Sequence, residues 1–254
     1  WQELSARWNT AKVKPSAAID RVRRIKSEDE IDLMRQSQAF NETIFEALLP
    51  QIQIGMTERE VQGLILSEIA ACPEVDGYSF SPIVAAAGNA WEIHHLPDAT
   101  PLRAGDLLIV DLGVVHRGYA SDMTRGVCLG EPSAEMREVH QVVTAAQDAA
   151  FALLRRGASS REVDAAARAV ISEAGHARGY THGLGHSIGL ETHDPGLNFA
   201  TTGEDVPLEP GMVFTVEPGI YLENRFGHRS EDMVVIREDG YENLTRTPRK
   251  IFSL

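Results

Sequence analysis

Cysteine is scarce in this sequence, which holds only Cys72 and Cys128 among 254 residues. Two cysteines are too few for the disulfide framework of a secreted domain, and these two lie too far apart for a zinc-binding cysteine motif. We therefore expect two free thiols and a reducing, cytoplasmic location.

Long apolar runs and basic residues are also in short supply. Apolar stretches such as residues 107–110 and 212–216 are far shorter than the roughly 18 residues that a membrane span needs. Lys and Arg number 24 against 37 Asp and Glu, so the net charge is −13 and a phosphate backbone would be repelled. The sequence predicts neither a membrane nor a nucleic-acid partner.

Several catalytic signatures are missing as well. The sequence has no His-Glu-x-x-His helix motif, no Gly-x-Ser-x-Gly elbow, no Walker loop and no dinucleotide fingerprint. These absences argue against the commonest zinc-protease, serine-hydrolase and nucleotide-binding sites.

Two helices are predicted near the start of a globular region. The chain is 43% hydrophobic and 24% charged, as in folded proteins. Residues 1–25 lack steady periodicity, and we interpret them as a linker or the remnant of a preceding N-terminal domain. Ser27 with Glu30 predicts the capped start of an amphipathic helix that ends at Pro50. Thr57 with Glu60 predicts a second helix, through residue 69.

An internal repeat organises the rest of the chain. Residues 55–61 recur at 157–163, and residues 102–113 recur at 208–219, so the two offsets are 102 and 106. Each half therefore predicts two helices followed by a β-hairpin, and the two halves should be related by a pseudo-twofold axis.

Each predicted hairpin carries two carboxylates. Asp111 and Asp122 are centred on residues 116–117, and Glu217 and Glu231 are centred on Asn224. Directly opposed cross-strand residues lie about 5 Å apart, where two carboxylates repel by about 3 kcal/mol at an effective dielectric constant near 20. A bound cation would reverse that sign, so we predict a metal site.

Histidines cluster in one glycine-rich segment. His182, His186 and His193 fall within twelve residues, and a His94-His95 pair lies upstream. The glycines among them make a helix improbable and favour an extended segment with close backbone approach. This concentration favours a functional site over isolated structural histidines.

These stretches together resemble the pita-bread metallopeptidases, the family of methionine aminopeptidase, aminopeptidase P and prolidase. The resemblance is closest to the proline-specific branch, through Val216-Glu-Pro-Gly-Ile-Tyr221 and Arg229-Ser-Glu-Asp-Met-Val234. It runs from about residue 25 to the C-terminus and includes residues 81–94, 105–125 and 182–195. It implies an α+β pita-bread fold in which two helix-helix-hairpin halves surround a curved antiparallel sheet, with residues 26–254 as the catalytic domain.

The resemblance also implies a dinuclear metal site. Its ligands would be Asp111, Asp122, His186, Glu217 and Glu231. Asp122 and Glu231 would bridge the ions, Asp111 would complete one, and His186 with Glu217 would complete the other. Such an oxygen-rich set suits two divalent ions, Mn first, with Co, Zn or Fe as alternatives.

Further roles follow from the same resemblance. Glu217 would relay the proton of the attacking water, and His94 and His193 would hold the substrate carbonyl. Arg229 would orient the ligand carboxylates, while Thr124 would form a hydrogen bond near Asp122. His182 and Tyr221 would line the substrate pocket.

The implied activity is hydrolysis of Xaa-Pro peptide bonds by a metal-dependent exopeptidase, of prolidase or aminopeptidase P type, through a hydroxide bridging two metal ions. Its partners would be the Xaa-Pro peptide and, in a homodimer, a second copy of the chain. Methionine aminopeptidase fits the length as an alternative, and so does a non-peptidase hydrolase or lyase acting on a small metabolite. A binding module that has lost catalysis is a further alternative, although all five ligands are present.

Overall fold

Helices and short strands alternate along the chain in this computed structural model, which describes residues 18–196, 198–200, 202 and 205–254. The α-helices are α1 (Ala18–Arg24), α2 (Glu28–Leu48), α3 (Glu58–Ala71), α4 (Ala134–Phe151) and α5 (Ser160–Glu173). Short 3-10 helices cover Leu49–Gln51, Ala87–Trp91 and Ala177–Gly179. None of the described helices is long and apolar enough to cross a membrane.

The strands are mostly short and fall into two series. The first series is β1 (Gly77–Tyr78), β2 (Ile83–Ala86), β3 (Leu107–Leu112), β4 (Val114–His116), β5 (Tyr119–Ala120) and β6 (Met123–Cys128). The second is β7 (Gly185–His186), β8 (Asn198–Phe199), β9 (Val213–Val216), β10 (Gly219–Leu222), β11 (Phe226–Arg229), β12 (Asp232–Arg237), β13 (Gly240–Asn243) and β14 (Phe252–Ser253).

Both predicted helix starts are confirmed in atomic detail. Ser27 accepts a hydrogen bond from the Glu30 amide, and the Glu30 carboxylate accepts one from the Ser27 amide. Thr57 and Glu60 form the same reciprocal pair at the start of α3. Each box satisfies backbone donors that a helix start leaves unpaired. Helix α1 was not indicated by periodicity because none of its residues is buried; residues 1–17 of the proposed linker lie outside the described residues.

The internal repeat reappears as repeated contacts. The Gly55 amide donates to the Leu102 carbonyl at 2.9 Å, and the Gly157 amide donates to the Leu208 carbonyl at 2.8 Å. Isolated bridges join residues 57 and 101 in one half and residues 159 and 207 in the other. The two sequence copies therefore make the same local structure twice.

Each half packs its helices against its own strands. Phe45 and Ile65 of α2 and α3 share a core with Val110 of β3, while Val143 of α4 shares a second core with Phe214 of β9. Strand residues alternate between faces, so Asp111, one residue beyond Val110, points away from the helices. This alternation directs the carboxylate toward the interior between the halves.

Two larger sheets have the orders β14-β6-β3-β2 and β13-β12-β9. Their neighbouring strands are antiparallel except that β14 runs parallel to β6, with Phe252 opposite Val127. The expectation of antiparallel sheets is confirmed, with this one parallel pair as an addition. The last strand crosses from the second half to the first, and it meets β6 in the same direction.

The turn of the first hairpin is centred one residue later than predicted, so the strand pairing differs from the prediction by two residues. Strands β4 and β5 pair His116 with Tyr119, and the two turn residues Arg117 and Gly118 have φ values of 49° and 85°. A two-residue hairpin turn of this type needs a positive φ at both central residues, and glycine adopts such a φ readily. The turn therefore falls at residues 117–118. Thr124, rather than Asp122, therefore lies opposite Asp111.

The second hairpin has the predicted register. Gly219 pairs with Arg229 and Val216 pairs with Asp232, so both ladders are centred on Asn224. Asn224 has a φ of 56°, the left-handed conformation that asparagine tolerates. Residues 217 and 231 thus face each other between the two ladders.

Arg125 links the two halves. Its guanidinium donates to the Glu231 carbonyl at 2.6 Å, to Asp232 Oδ1 at 2.7 Å and to the Thr247 carbonyl at 2.7 Å. The side chain is 1% exposed. A buried cation with this many acceptors holds β6 of the first half beside β12 of the second.

Replacement of Arg125 by Met should destabilise the protein strongly. The change removes these hydrogen bonds and deprives the buried Asp232 carboxylate of its cation, which typically costs about 3–5 kcal/mol. Denaturant unfolding would measure the loss. Arg156→Met is the control, because Arg156 pairs with Glu238 on the open surface and its loss should leave the free energy of unfolding almost unchanged. Equal losses in both variants would contradict the role of Arg125.

Candidate metal centre

One cavity collects the predicted ligands from both halves. It has a volume of about 790 Å³, and its walls include Asp111, Asp122, His186, Glu217 and Glu231. Asp111 lies in β3 and Asp122 directly before β6, while Glu217 follows β9 and Glu231 precedes β12. The strand ends of the two halves thus place their carboxylates around a common space.

Four of the five candidate ligands lie within coordination range of a neighbour. His186 Nε2 is 3.7 Å from Asp122 Oδ2 and 3.6 Å from Glu217 Oε1. Ligand atoms of Asp122, His186 and Glu231 all lie within 4.8 Å of one another. Separations of this size suit several ligands of a shared ion, which stands about 2 Å from each donor.

Two carboxylate oxygens of this cavity have no hydrogen-bond partner among the described residues. Asp111 Oδ1 and Asp122 Oδ1 are buried without a hydrogen-bond partner among the described residues. Burial, with the neighbouring carboxylates adding to it, raises the pKa values of Asp122 and Glu231 well above the ordinary range. Buried anions with unused oxygens require cations. Four carboxylates and one imidazole therefore fit divalent metal ions.

His186 is held in the form that ligates a metal. Its Nδ1 lies 3.1 Å from the Ser187 carbonyl, which can only accept, so Nδ1 carries the proton and Nε2 offers a lone pair to the cavity. Burial, followed by the charge of His193, lowers the pKa of His186 to about 4, so the ring is neutral. The strand approaches Thr215 so closely that a Cβ on Gly185 would meet the Thr215 carbonyl at 2.0 Å. Gly185 is thus required for this placement.

Arg229 contacts two of the cavity carboxylates. Its Nη2 donates to Asp111 Oδ2 at 2.6 Å, and its Nε lies 3.9 Å from Glu217 Oε2. Thr124 forms its hydrogen bond with Glu231, whose carboxylate lies beside Asp122. Its hydroxyl donates to Glu231 Oε2 at 2.6 Å, because the register of β3 and β6 places Thr124 opposite Asp111 and the second half brings Glu231 beside it.

A hydrogen-bonded chain connects Arg229 to His182. Arg229 Nη1 donates to the Tyr221 hydroxyl at 2.9 Å, and that hydroxyl lies 2.9 Å from His182 Nε2. His182 Nδ1 is 2.7 Å from the Gly183 carbonyl and must donate to it, so Nε2 accepts from Tyr221. Both nitrogens are thus occupied, and His182 presents its ring to the cavity. Tyr221 is not among the residues that line the cavity, contrary to expectation. It lies behind the His182 ring, and its hydroxyl supports that ring through the hydrogen bond to Nε2.

The other histidines singled out in the sequence do not all reach the cavity. The His193 ring centre lies 4.0 Å from that of His186, and both rings line the cavity together with His94. His95, in contrast, is buried with its Nε2 2.7 Å from Glu58 Oε2. The sequence grouped His94 with His95, but only His94 reaches the cavity.

One carboxylate near the centre was missed by sequence reasoning. Asp194 follows His193 and is buried beside Lys26 and Arg23. The only sequence signal was an aspartate inside the histidine segment. Its cationic partners, Arg23 and Lys26, lie about 170 residues earlier in the chain. Local patterns do not reveal such a contact.

Comparison with known proteins assigns the family. The model of metallopeptidase family M24 matches residues 32–238. This chain belongs to metallopeptidase family M24. Members of this family use divalent metal ions, in agreement with the donor set of the cavity.

The M24 chain resembles both curated relatives and solved structures. It is 36% identical over 234 residues to the Xaa-Pro dipeptidase of Lactobacillus delbrueckii subsp. lactis, covering 92% of this chain and 63% of that protein. It matches the X-Pro aminopeptidase of Thermotoga maritima with a TM-score of 0.93 and 36% identity, covering 100% of this chain and 71% of that one.

A recombinant prolidase from Thermococcus sibiricus matches with a TM-score of 0.94 and 34% identity, over 100% of this chain and 69% of that one. These likenesses confirm the α+β pita-bread fold. The M24 chain spans about 63% of the length of the Lactobacillus relative.

Metal removal should make the stability of the M24 chain depend on pH. Burial raises the pKa of Glu217 to about 7, against an ordinary value of 4.5. The folded state then holds a proton that the unfolded state releases, so this contribution to stability is complete below about pH 4.5 and is lost as the pH rises through about 7. The raised pKa values of Asp122 and Glu231 act in the same direction.

Thermal unfolding with and without a chelator would measure this effect. Chelated protein should unfold at a lower temperature at about pH 8 than at about pH 5.5. Protein with excess Mn should show a smaller decrease, because metal ions bind the deprotonated ligands. Identical pH dependence in the two samples would contradict a metal centre among these carboxylates.

Proposed function

We propose that this chain is the catalytic part of a metal-dependent exopeptidase that hydrolyses Xaa-Pro peptide bonds. The observation that carries the proposal is the convergence of Asp111, Asp122, His186, Glu217 and Glu231 on one cavity, beside His193 and His94. The names of the similar proteins, an Xaa-Pro dipeptidase and an X-Pro aminopeptidase, support the substrate class.

The five ligands would hold two divalent ions. The ions would be held by carboxylate oxygens of Asp111, Asp122, Glu217 and Glu231 and by Nε2 of His186. When bound, the ions would supply Lewis acidity and lower the pKa of a water molecule at the site. Mn is the metal we propose first, with Co, Zn or Fe as alternatives, because the set is rich in oxygen.

The chain's own groups would handle the substrate and the proton. Glu217 would receive the proton of the attacking water on a carboxylate oxygen, because this side chain lies on the cavity wall beside His186. His193 and His94 would donate to the substrate carbonyl, where negative charge develops. The His182 ring, supported by Tyr221, would form the wall beside the proline.

Oligomeric state and compartment follow the same proposal. The homodimer and the cytoplasmic location expected from the sequence stay predictions. Gel filtration and localisation of the complete protein would test them.

An assay of defined peptides would test the activity. With Mn added, Xaa-Pro dipeptides and Xaa-Pro-Xaa tripeptides should release their N-terminal residue, whereas Met-Ala peptides should not. The relative rates of the two proline substrates would distinguish prolidase from aminopeptidase P. Cleavage of Met-Ala alone would indicate a methionine aminopeptidase, and the absence of all peptidase activity in the metal-loaded complete protein would contradict the proposal.

Alanine variants of the three cavity histidines should differ in kind. His186→Ala should lose metal, because Nε2 faces the carboxylates. His193→Ala should keep metal but lose kcat by roughly 100- to 1,000-fold, the usual effect of removing one oxyanion donor. His182→Ala should mainly raise KM. Metal analysis and kinetics of each variant would check this, and metal loss or full turnover in His193→Ala would show that the roles are misassigned.

A further inference from the structure

The loop that carries His193 is closed by the residue that follows it. The Asp194 amide donates to the Ser187 carbonyl at 3.0 Å, and Asp194 Oδ1 accepts from the Glu191 amide at 3.4 Å. The Thr192 hydroxyl donates to the Ser79 carbonyl at 3.0 Å. These contacts place the His193 ring against His186. The orientation of His193 therefore depends on how firmly Asp194 is held.

Two cations from the start of the described chain hold Asp194. Lys26 Nζ lies 3.2 Å from Asp194 Oδ2, and Arg23 Nη2 lies 2.5 Å from Asp194 Oδ1. The side chains of Lys26 and Asp194 are 3% and 1% exposed. A charge pair so completely removed from water is sensitive to the loss of either partner.

Gly189 packs closely against this ion pair. A Cβ on Gly189 would lie 2.9 Å from Lys26 Cε and 3.0 Å from Asp194 Oδ2, so the absence of a side chain there admits the lysine beneath the loop. The Lys26 amide donates to the Gly211 carbonyl at 2.8 Å, which fixes the lysine backbone. Lys26 is thus anchored at both ends.

We propose that Asp194 is a positioning residue that acts through His193, with Lys26 and Arg23 as its counter-ions. The last turn of α1 and the segment between α1 and α2 thereby set the orientation of a histidine that faces the substrate. The kinetic consequence rests on the proposed function, whereas the structural consequence, a loop held by Lys26, does not.

The charge of Asp194, rather than the shape of its side chain, holds the loop. Asparagine at position 194 would preserve the size of the side chain but leave the buried Lys26 ammonium without its anion. The loop would then adjust to hydrate or re-pair that cation, and the His193 ring would move with it. The proposed metal ligands lie on other segments except His186. Its Nδ1 shares the Ser187 carbonyl with the Asp194 amide, a backbone donor that a change of the Asp194 side chain leaves in place.

A double-mutant cycle tests whether Asp194 acts through His193. Asp194→Asn should lower kcat by roughly 10- to 100-fold while changing KM by less than about 3-fold, with metal content retained. In the His193→Ala background the same substitution should lower kcat by less than about 2-fold, because the group that it positions is absent. Equal effects in the two backgrounds, or loss of metal, would overturn the proposal.

Asp164→Asn is the matched comparison. Asp164 is also fully buried and paired with an arginine, Arg168, but it holds the Leu184 amide on the other side of the segment. Its effect on kcat should multiply with that of His193→Ala. If it shows the same dependence on His193 as Asp194→Asn, the coupling reflects general destabilisation and the proposal is wrong.

Amide hydrogen exchange supplies a readout that does not need catalysis. In Lys26→Met, measured without substrate, exchange in residues 187–196 should accelerate by roughly 10-fold or more while α2 is unchanged. Unchanged exchange in this loop would overturn the proposal even if Asp194→Asn fails to fold. If the native protein has no peptidase activity, the proposed function fails, but the exchange experiment still decides whether Lys26 holds the loop.

Discussion

Electrostatic repulsion among four carboxylates in one buried cavity is the constraint on which the rest of this structure depends. Burial and mutual repulsion raise the pKa values of Asp122 and Glu231, and buried oxygens of Asp111 and Asp122 lack partners among the described residues. A fully ionised site needs cations placed among these groups. Arg229 supplies one from the protein, and divalent metal ions of the kind used in family M24 fit the remaining space.

Because each half contributes two of the carboxylates, the fold must hold the halves in fixed relation. Arg125 holds them together by donating hydrogen bonds to the Glu231 carbonyl and the Asp232 carboxylate of the second half. The Thr124 hydroxyl adds a hydrogen bond to the Glu231 carboxylate. Hydrogen bonds from Asp111 through Arg229 and Tyr221 connect these carboxylates to the His182 ring on the cavity wall. Stability and ligand geometry therefore depend on the same buried polar contacts.

Local sequence patterns predicted a large part of the fold. Both capping boxes begin helices where expected, since caps depend on residues three apart. The repeat predicted two related halves, and the equivalent bonds at Gly55 and Gly157 bear this out. The predicted register of the first hairpin was wrong by two residues, because the turn falls at Arg117 and Gly118, where both φ values are positive, and the symmetry of the carboxylate spacing does not determine it.

The sequence by itself determined which residue types could form the centre, the spacing of the carboxylates and, through its motifs, the resemblance to a metallopeptidase family. Only the tertiary structure decided that His94 faces the cavity while His95 pairs with Glu58, and that Thr124 serves Glu231. It also decided that Lys26 meets Asp194 across 168 residues of chain. Periodicity and capping act between near neighbours, whereas contacts of this kind exist only after the core of each half has fixed where its strand ends and loops lie.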